Sequence, residues 1–204
     1  MELEQWINAL GSREPTPGGG GASAALGAVA AALCEMVGNL TSGKARYREV
    51  QPDMDRIVPQ AKALEQSFLS RAEADAEAFL PLSRLYALPK DAEGREEKLE
   101  TALKNAALVP LRILEECEKV AGLCAELAEK GSRLAVSDAG VAAAACEAAA
   151  MGAALNVYVN TRLMKNKETA ESLNAKAGEW EKTVAASCRE TYRKVRNGLV
   201  HMGD

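Results

Sequence analysis

Apolar residues recur at three- and four-residue spacing along most of the chain, a pattern typical of amphipathic α-helices. It predicts helices over 2–10, 22–41, 52–88, 96–130, 139–164 and 167–200, separated by short polar or glycine-rich segments. Ser137 and Asp138 are the predicted N-caps of the fifth helix. Pro59, Pro81 and Pro110 fall inside predicted helices, where each removes a backbone donor, so we expect a kink or a break at these positions.

Composition supports an all-α fold. Of the 204 residues 39 are alanine, the strongest helix former, and only 8 are aromatic. No strand–helix alternation and no internal repeat occurs, so we predict one domain over 1–204, a bundle of six helices. The second and fifth helices are rich in alanine and glycine and bury little area per residue, so we expect a second copy of the chain to complete the bundle as a homodimer.

Charge and cysteine content exclude several classes of protein. The net charge of −4 argues against a nucleic-acid-binding protein. The most apolar runs, 22–37 and 139–159, each contain a glutamate, so we expect neither a membrane span nor a secretion signal. Five cysteines without a CxxC motif indicate free thiols and a cytoplasmic location. The single histidine, His201, lies at a terminus that we expect to fray, which argues against a histidine metal site or a catalytic triad.

Asp75 is an acidic residue on a face that should be apolar. Its neighbours one helical turn away are apolar except for Arg71, whereas Glu77 has mostly polar neighbours. A carboxyl group in an apolar setting has a raised pKa, as a general acid/base near neutral pH requires. The alternative is a simple ion pair between Arg71 and Asp75.

Other polar residues interrupt the two apolar helices. Glu35 and Glu147 are each the single charge in a long apolar run, and each must face a cleft, a cation at an interface or trapped water. Asn156 and Asn160 share one helix face and, with Asn39, could hold a flat heterocycle or simply be satisfied within the protein.

Glycine and basic residues suggest a place for an anionic ligand. The run Gly18–Gly21 precedes a helix and offers free backbone donors, unless it is only a flexible linker. Two basic clusters, one beginning at Lys44 and the other at Arg162, follow the apolar helices. They suit a polyanionic small molecule if they face a cleft, and are otherwise solvated surface.

Several short motifs, in order, resemble one family. They are Pro15-Thr-Pro-Gly-Gly-Gly-Gly-Ala-Ser23, Met36-Val-Gly-Asn-Leu-Thr-Ser-Gly-Lys44, Glu73-Ala-Asp-Ala-Glu-Ala-Phe79, Leu88-Pro-Lys90, Ser137-Asp138 and Asn156-Val-Tyr-Val-Asn160. Together they resemble the cyclodeaminase/cyclohydrolase family of folate enzymes, which includes the C-terminal half of formiminotransferase-cyclodeaminase and bacterial methenyltetrahydrofolate cyclohydrolases. The resemblance covers nearly the whole chain, with Glu73 standing where an aspartate is common.

The resemblance implies a cytoplasmic homodimeric enzyme that acts on the carbon bridging nitrogens 5 and 10 of tetrahydrofolate, with no metal and no bound cofactor. It implies Asp75 as the catalytic residue. The substrate-binding residues expected are Gly18, Gly19, Gly20, Glu35, Asn39, Lys44, Asp138, Asn156, Asn160 and Arg162. Whether the reaction is cyclohydrolase or cyclodeaminase chemistry stays open, and a non-catalytic folate-binding or scaffold dimer is the alternative from another class.

Overall fold

Six α-helices form the fold of the computed structural model, which describes residues 2–200. They are α1 (Leu3–Leu10), α2 (Gly19–Thr41), α3 (Gln51–Tyr86), α4 (Arg95–Lys130), α5 (Val136–Thr161) and α6 (Lys167–Val200). Short 3₁₀ turns at Ala45–Val50 and Arg133–Ala135 lead into α3 and α5, and no strand occurs between residues 2 and 200. The predicted all-α fold is confirmed. The prediction about His201 lies outside the described residues.

Helices α2 and α5 are antiparallel and form the centre of the bundle. Gly19 at the start of α2 lies beside Asn156 near the end of α5, while Thr41 at the other end of α2 accepts a hydrogen bond from the Ser132 amide just before α5. Helix α3 packs against α2, and α4 and α6 pack against α5. Because the buried residues of α2 and α5 are mostly alanine and glycine, their backbones approach closely, as where Gly152 meets Ser23.

The two central helices are long and apolar enough to cross a membrane, but in this fold they are core elements. About half of each apolar window is buried inside the bundle, 56% for α2 and 50% for the segment containing α5. The glutamates within their apolar runs pair with neighbouring helices: Glu35 lies 3.6 Å from the Lys62 ammonium on α3, and Glu147 accepts a 2.6 Å bond from Arg189 on α6. Each glutamate therefore has a cation within one chain.

Prolines do not break the long helices. Helix α3 continues through Pro59 and Pro81, and α4 continues through Pro110. Of the two expected outcomes, a kink or a break, the break is therefore wrong at all three positions. Pro59 and Pro81 are exposed, so the carbonyls that lose a helical donor there can be hydrated, and one missing bond is outweighed by the packing of a helix of 36 residues.

The start of two helices differs from the sequence prediction. Helix α2 begins at Gly19, three residues early, because the glycine run forms its first turn instead of a linker. Helix α5 begins at Val136 with Ala135 in the N-cap position, so Ser137 and Asp138 are not caps. The preceding 3₁₀ turn runs directly into the helix, and Asp138 instead lies in the first turn, where its charge favours the helix dipole.

All five cysteines are free, as predicted from the sequence, and all are buried. They come from four helices, and the sulfur atoms of Cys34 and Cys124 lie 3.4 Å apart. A hydrogen bond with Cys146, together with burial, raises the pKa of Cys188 far above the usual range. These thiols are therefore part of the core rather than a reactive group.

Candidate active site

A cavity of about 340 Å³ opens at the end of the bundle where α2 begins and α5 ends. Its wall combines the segment before α2, one face of α3, and the last turns of α5. The polar lining residues are Thr16, Gly18, Gly19, Gly20, Asp75, Tyr86, Asn156 and Asn160. Six of the residues expected at a site from sequence (the three glycines, Asp75 and the two asparagines) therefore meet in one place.

Asp75 and Tyr86 are the only ionisable side chains in this lining, and the phenol of Tyr86 is neutral at physiological pH. The Asp75 side chain is half-buried, whereas Glu77 on the same helix is exposed, which confirms the distinction drawn from helical spacing. One carboxylate oxygen, Oδ2, accepts a 3.0 Å hydrogen bond from the Gly21 amide. Burial raises the pKa of Asp75, and the Gly21 hydrogen bond opposes that rise. The group is thereby tuned toward proton exchange nearer neutral pH.

The glycine run brings the backbone of α2 against this carboxylate. A Cβ atom built on Gly20 would lie only 2.1 Å from Asp75 Oδ1, so any side chain at this position would displace the acid. A Cβ on Gly19 would lie 3.2 Å from the Asn156 amide nitrogen. Because the amides in the first turn of a helix have no intrahelical acceptor, those of Gly19 and Gly20 are available to a ligand.

Asn156 and Asn160 present acceptor oxygens to the cavity. The Asn156 amide nitrogen donates to Gly152 O at 2.8 Å, and that of Asn160 donates to Asn156 O at 2.8 Å and Ala106 O at 3.3 Å. Since a backbone carbonyl only accepts, these contacts fix which end of each side-chain amide faces the protein. The two Oδ1 atoms have no protein donor among the described residues and are free to accept from a bound molecule.

Arg71 does not pair with Asp75. Its guanidinium donates to Glu116 Oε1 on α4 from Nε at 3.2 Å and from a terminal nitrogen at 3.0 Å. The alternative explanation of Asp75 as one half of an Arg71–Asp75 ion pair is therefore wrong.

Four other residues expected at the site lie elsewhere in this chain. Asn39 and Lys44 are at or beyond the far end of α2, and Asp138 is in the first turn of α5, all at the opposite end of the bundle. Glu35 is fifteen residues along α2 from Gly20, or roughly 22 Å, and lies beside Lys62. Sequence alone could not show which end of α2 lies beside Asn156 and Asn160, because that depends on the antiparallel packing of α2 and α5. Arg162 is exposed and follows α5 directly, at the same end as the cavity.

Sequence reasoning missed the apolar and aromatic part of the wall. Phe79, Leu82 and Tyr86 continue the face of α3 that carries Asp75, at steps of four, three and four residues. Extending the helical spacing beyond Leu82 would have found Tyr86. Burial raises the pKa of its phenol. Pro15 and Ala106, from other segments, had no sequence signal that placed them here.

A larger and more open hollow of about 700 Å³ lies between α3 and α4, lined in part by Arg84 and Lys98. Its lining includes Glu97 in the first turn of α4, but this acid is exposed, and no half-buried acid lines the hollow. The smaller cavity is the candidate active site because it alone gathers an acid, backbone donors and oriented amide acceptors, among the residues that the structure describes.

Comparison with known proteins is consistent across sequence and structure. The family model described as Formiminotransferase-cyclodeaminase matches residues 2–179. A methenyltetrahydrofolate cyclohydrolase from Methylorubrum extorquens is 40% identical over 173 residues, covering 83% of each chain. A formimidoyltransferase-cyclodeaminase from Rattus norvegicus is 34% identical over 166 residues, covering 79% of this chain and 31% of that protein.

A crystal structure supports the same relationship at the level of the fold. The structure of formiminotetrahydrofolate cyclodeaminase from Thermotoga maritima superimposes with a TM-score of 0.90 at 30% sequence identity and covers 98% of both chains. The animal relative is about three times as long as the part matched here, so only one of its regions corresponds to this chain. The chain belongs to the formiminotransferase-cyclodeaminase family.

Proposed function

We propose that the protein is a folate one-carbon enzyme that hydrolyses 5,10-methenyltetrahydrofolate to 10-formyltetrahydrofolate, with Asp75 as the proton-transfer group. The observation that carries this proposal is the half-buried Asp75 carboxyl, set in a cavity against the first turn of α2. The bacterial relative of matching length, at 40% identity, is named as a methenyltetrahydrofolate cyclohydrolase and favours hydrolysis.

The reaction needs one group that both accepts and donates a proton. Water adds to the cationic carbon between nitrogens 5 and 10, forming a carbon–oxygen bond, and the resulting tetrahedral carbon then breaks its bond to nitrogen 5. Asp75 takes a proton from the attacking water and delivers one to nitrogen 5, while the second proton of water leaves to solvent. A carboxylate also stabilises the positive charge on the bridging carbon before attack.

The geometry of Asp75 suits this role. The Gly21 amide holds Oδ2 and fixes the rotamer of the carboxyl group, while Oδ1 has no protein donor among residues 2–200 and is available to water or substrate. A carboxyl whose pKa is raised by burial is a better base than an exposed aspartate and is protonated more readily for the return step.

Substrate binding follows from the remaining lining residues. The free Oδ1 atoms of Asn156 and Asn160 accept hydrogen bonds from the N–H groups of the pterin ring, and the amides of Gly19 and Gly20 donate to its carbonyl or ring nitrogens. Phe79 and Tyr86 supply aromatic surface for the flat ring. Arg162, at the same end of the bundle, is our candidate for contact with the glutamate tail.

Cyclodeaminase activity is the second candidate, favoured by the Thermotoga maritima structure, which matches this chain over 98% of both lengths. In that reaction nitrogen 10 attacks the formimino carbon on nitrogen 5 and ammonia leaves, so Asp75 would serve the same two proton transfers. Both reactions share the bridging carbon, which is why one acid can serve either.

Paired assays on the purified protein separate the candidates. Loss of methenyltetrahydrofolate absorbance that depends on the enzyme supports hydrolysis, and ammonia release from formiminotetrahydrofolate supports deamination. Full activity with EDTA present, in whichever assay shows turnover, supports our expectation that no metal is needed. Binding of the folate without turnover of either substrate would contradict the enzyme proposal and favour a folate-binding or scaffold protein.

We further propose that the chain acts as a cytoplasmic homodimer. Helix α2 exposes a stripe of apolar side chains to solvent, and α5 beside it exposes another; they comprise Leu26, Val29, Met36, Leu40, Val141, Met151, Leu155 and Val159. A continuous apolar face on two adjacent helices is typical of a subunit interface.

A further inference from the structure

An ion pair between half-buried Arg71 and buried Glu116 lies one helical turn from Asp75. Glu116 on α4 is only 7% exposed, and its Oε1 atom accepts hydrogen bonds from Ser67 Oγ at 2.8 Å and from two nitrogens of Arg71. Its other oxygen, Oε2, is buried without a hydrogen-bond partner among the described residues. All the donors thus converge on one oxygen of Glu116.

This arrangement is costly for the fold. A buried carboxylate oxygen without a donor loses its hydration and gains nothing in return. Buried ion pairs are frequently no more stabilising than apolar side chains of the same size. The contact that the charge of Glu116 makes is with the Arg71 guanidinium, and its effect on the position of Arg71 is the one we consider.

Arg71 stands four residues before Asp75 on α3, the spacing at which an arginine and an aspartate on one helix form an ion pair. The Glu116 contacts draw its guanidinium toward α4 instead. The groups around Asp75 are otherwise uncharged: α2 contributes the Gly21 amide, α5 the Asn156 amide, α4 Ala106, and α3 itself Phe79 and the Tyr86 phenol.

We propose that Glu116 is a positioning residue that holds the Arg71 guanidinium on α4 and so leaves the Asp75 carboxyl without a cationic partner. This inference rests on the proposed function for its catalytic meaning, but the placement of Arg71 can be tested without turnover. An arginine beside Asp75 would stabilise the carboxylate and make it both a weaker base and a group that is rarely protonated at neutral pH. Glu116 thereby keeps the Asp75 carboxyl free of a cation that would lower its proton affinity.

The test is the substitution Glu116→Gln, which keeps the shape of the side chain and removes its charge. The Asp75 carboxyl is titrated by ¹³C NMR in the free protein, with its signal identified by its loss in Asp75→Asn. We expect the pKa of Asp75 to fall by roughly one pH unit as Arg71 moves to it. The acidic limb of the kcat/KM profile, which reports the free enzyme, moves down by the same amount, and the maximal kcat falls.

Two further variants make the result specific. Adding Arg71→Met to Glu116→Gln removes the released cation and restores the wild-type pKa of Asp75 and the wild-type position of the acidic limb. Glu115→Gln is the matched control, because it removes the neighbouring glutamate on α4, which pairs with Arg112 and Lys119 instead. We expect the pKa of Asp75 in Glu115→Gln to equal that of the wild type.

An unchanged Asp75 pKa in Glu116→Gln would overturn the proposal, since Arg71 would then be turning to solvent. If Glu116→Gln alone does not fold, the double variant Glu116→Gln, Arg71→Met still tests the proposal. A pKa of Asp75 above the wild-type value in this variant would mean that Arg71 already acts on Asp75 in the wild type, which would also overturn the proposal. A lowered pKa with an unmoved kcat/KM profile would support the placement of Arg71 and contradict Asp75 as the proton-transfer group. Failure of the proposed placement of Arg71 and failure of Asp75 as the proton-transfer group therefore give different results.

Discussion

Gly20→Ala should uncouple folding from activity, because a single methyl group at this position would collide with the catalytic candidate. The added Cβ would lie 2.1 Å from Asp75 Oδ1, 2.4 Å from its Cγ and 2.6 Å from Oδ2. An ordinary contact is about 3.5 Å, so the carboxyl group or the first turn of α2 must move by more than about 1 Å. The hydrogen bond from the Gly21 amide to Oδ2 does not survive such a movement.

The expected magnitudes differ for activity and stability. A displacement of about 1 Å in a catalytic group lowers kcat/KM by roughly 100-fold. The free energy of unfolding falls by about 1 to 2 kcal/mol, since overpacking costs ~1–3 kcal/mol and alanine regains ~0.5–1 kcal/mol over glycine in a helix. The assays are methenyltetrahydrofolate turnover and urea unfolding of the same preparations.

Gly122→Ala is the matched control for this experiment. Gly122 lies on the exposed side of α4, and a Cβ there would meet nothing within 4 Å. It should raise the free energy of unfolding by ~0.5–1 kcal/mol and leave kcat/KM at the wild-type value. A Gly20→Ala protein with wild-type kcat/KM would refute the argument that the close approach of α2 positions Asp75.

Four further predictions follow from the same contacts. Asn156→Ala removes a free acceptor oxygen from the cavity and should raise KM by about 10-fold with a smaller effect on kcat, measured by steady-state kinetics; an unchanged KM would exclude Asn156 from substrate binding. If the chain forms the dimer proposed above, Leu155→Asp, at a side chain 67% exposed on α5, should give a folded monomer in analytical ultracentrifugation, and a persisting dimer would place the interface elsewhere. The five buried thiols should react with a chromogenic disulfide reagent only at the rate of unfolding, and fast reaction of any of them in the native protein would contradict their burial. Burial raises the pKa of Asp75 in the folded protein, so ionised Asp75 destabilises the fold as pH rises above the pKa of 3.8 that the group has in the unfolded chain. Asp75→Asn should therefore raise Tm at pH 7, and its difference from the wild type should vanish near pH 3. A lower Tm at pH 7 would contradict the raised pKa of Asp75.

The helices could be predicted from sequence because their apolar spacing is regular and their breaks contain glycine or charged residues. Their ends were harder to place. Nothing local indicates that Gly19–Gly21 form a helical turn, because that conformation depends on a carboxylate 54 residues away that accepts the Gly21 amide. The continuity of α3 through its two prolines could not be predicted either, because the local loss of a backbone donor favours a break, whereas the packing of the whole helix opposes it.

The site could be predicted only where helical spacing determines which residues share a face. Asp75 stood out because its neighbours along α3 are apolar, and Asn156 and Asn160 because they lie one turn apart on α5. Which end of each helix meets which is a property of the tertiary fold, so Asn39 and Lys44 could not be separated from Asn156 by pattern alone. The partner of Arg71 was equally invisible, since Glu116 is 45 residues away on another helix.

The most direct measurement is kcat of Asp75→Asn against kcat of Glu77→Gln, the same loss of charge two residues further along α3 on the exposed side of the helix. We expect Asp75→Asn to lose roughly 100- to 10,000-fold in kcat while still folding and binding the folate, since general acid–base catalysis contributes that much, and Glu77→Gln to match the wild type. An Asp75→Asn protein with wild-type kcat would contradict the proposal that Asp75 is the proton-transfer group.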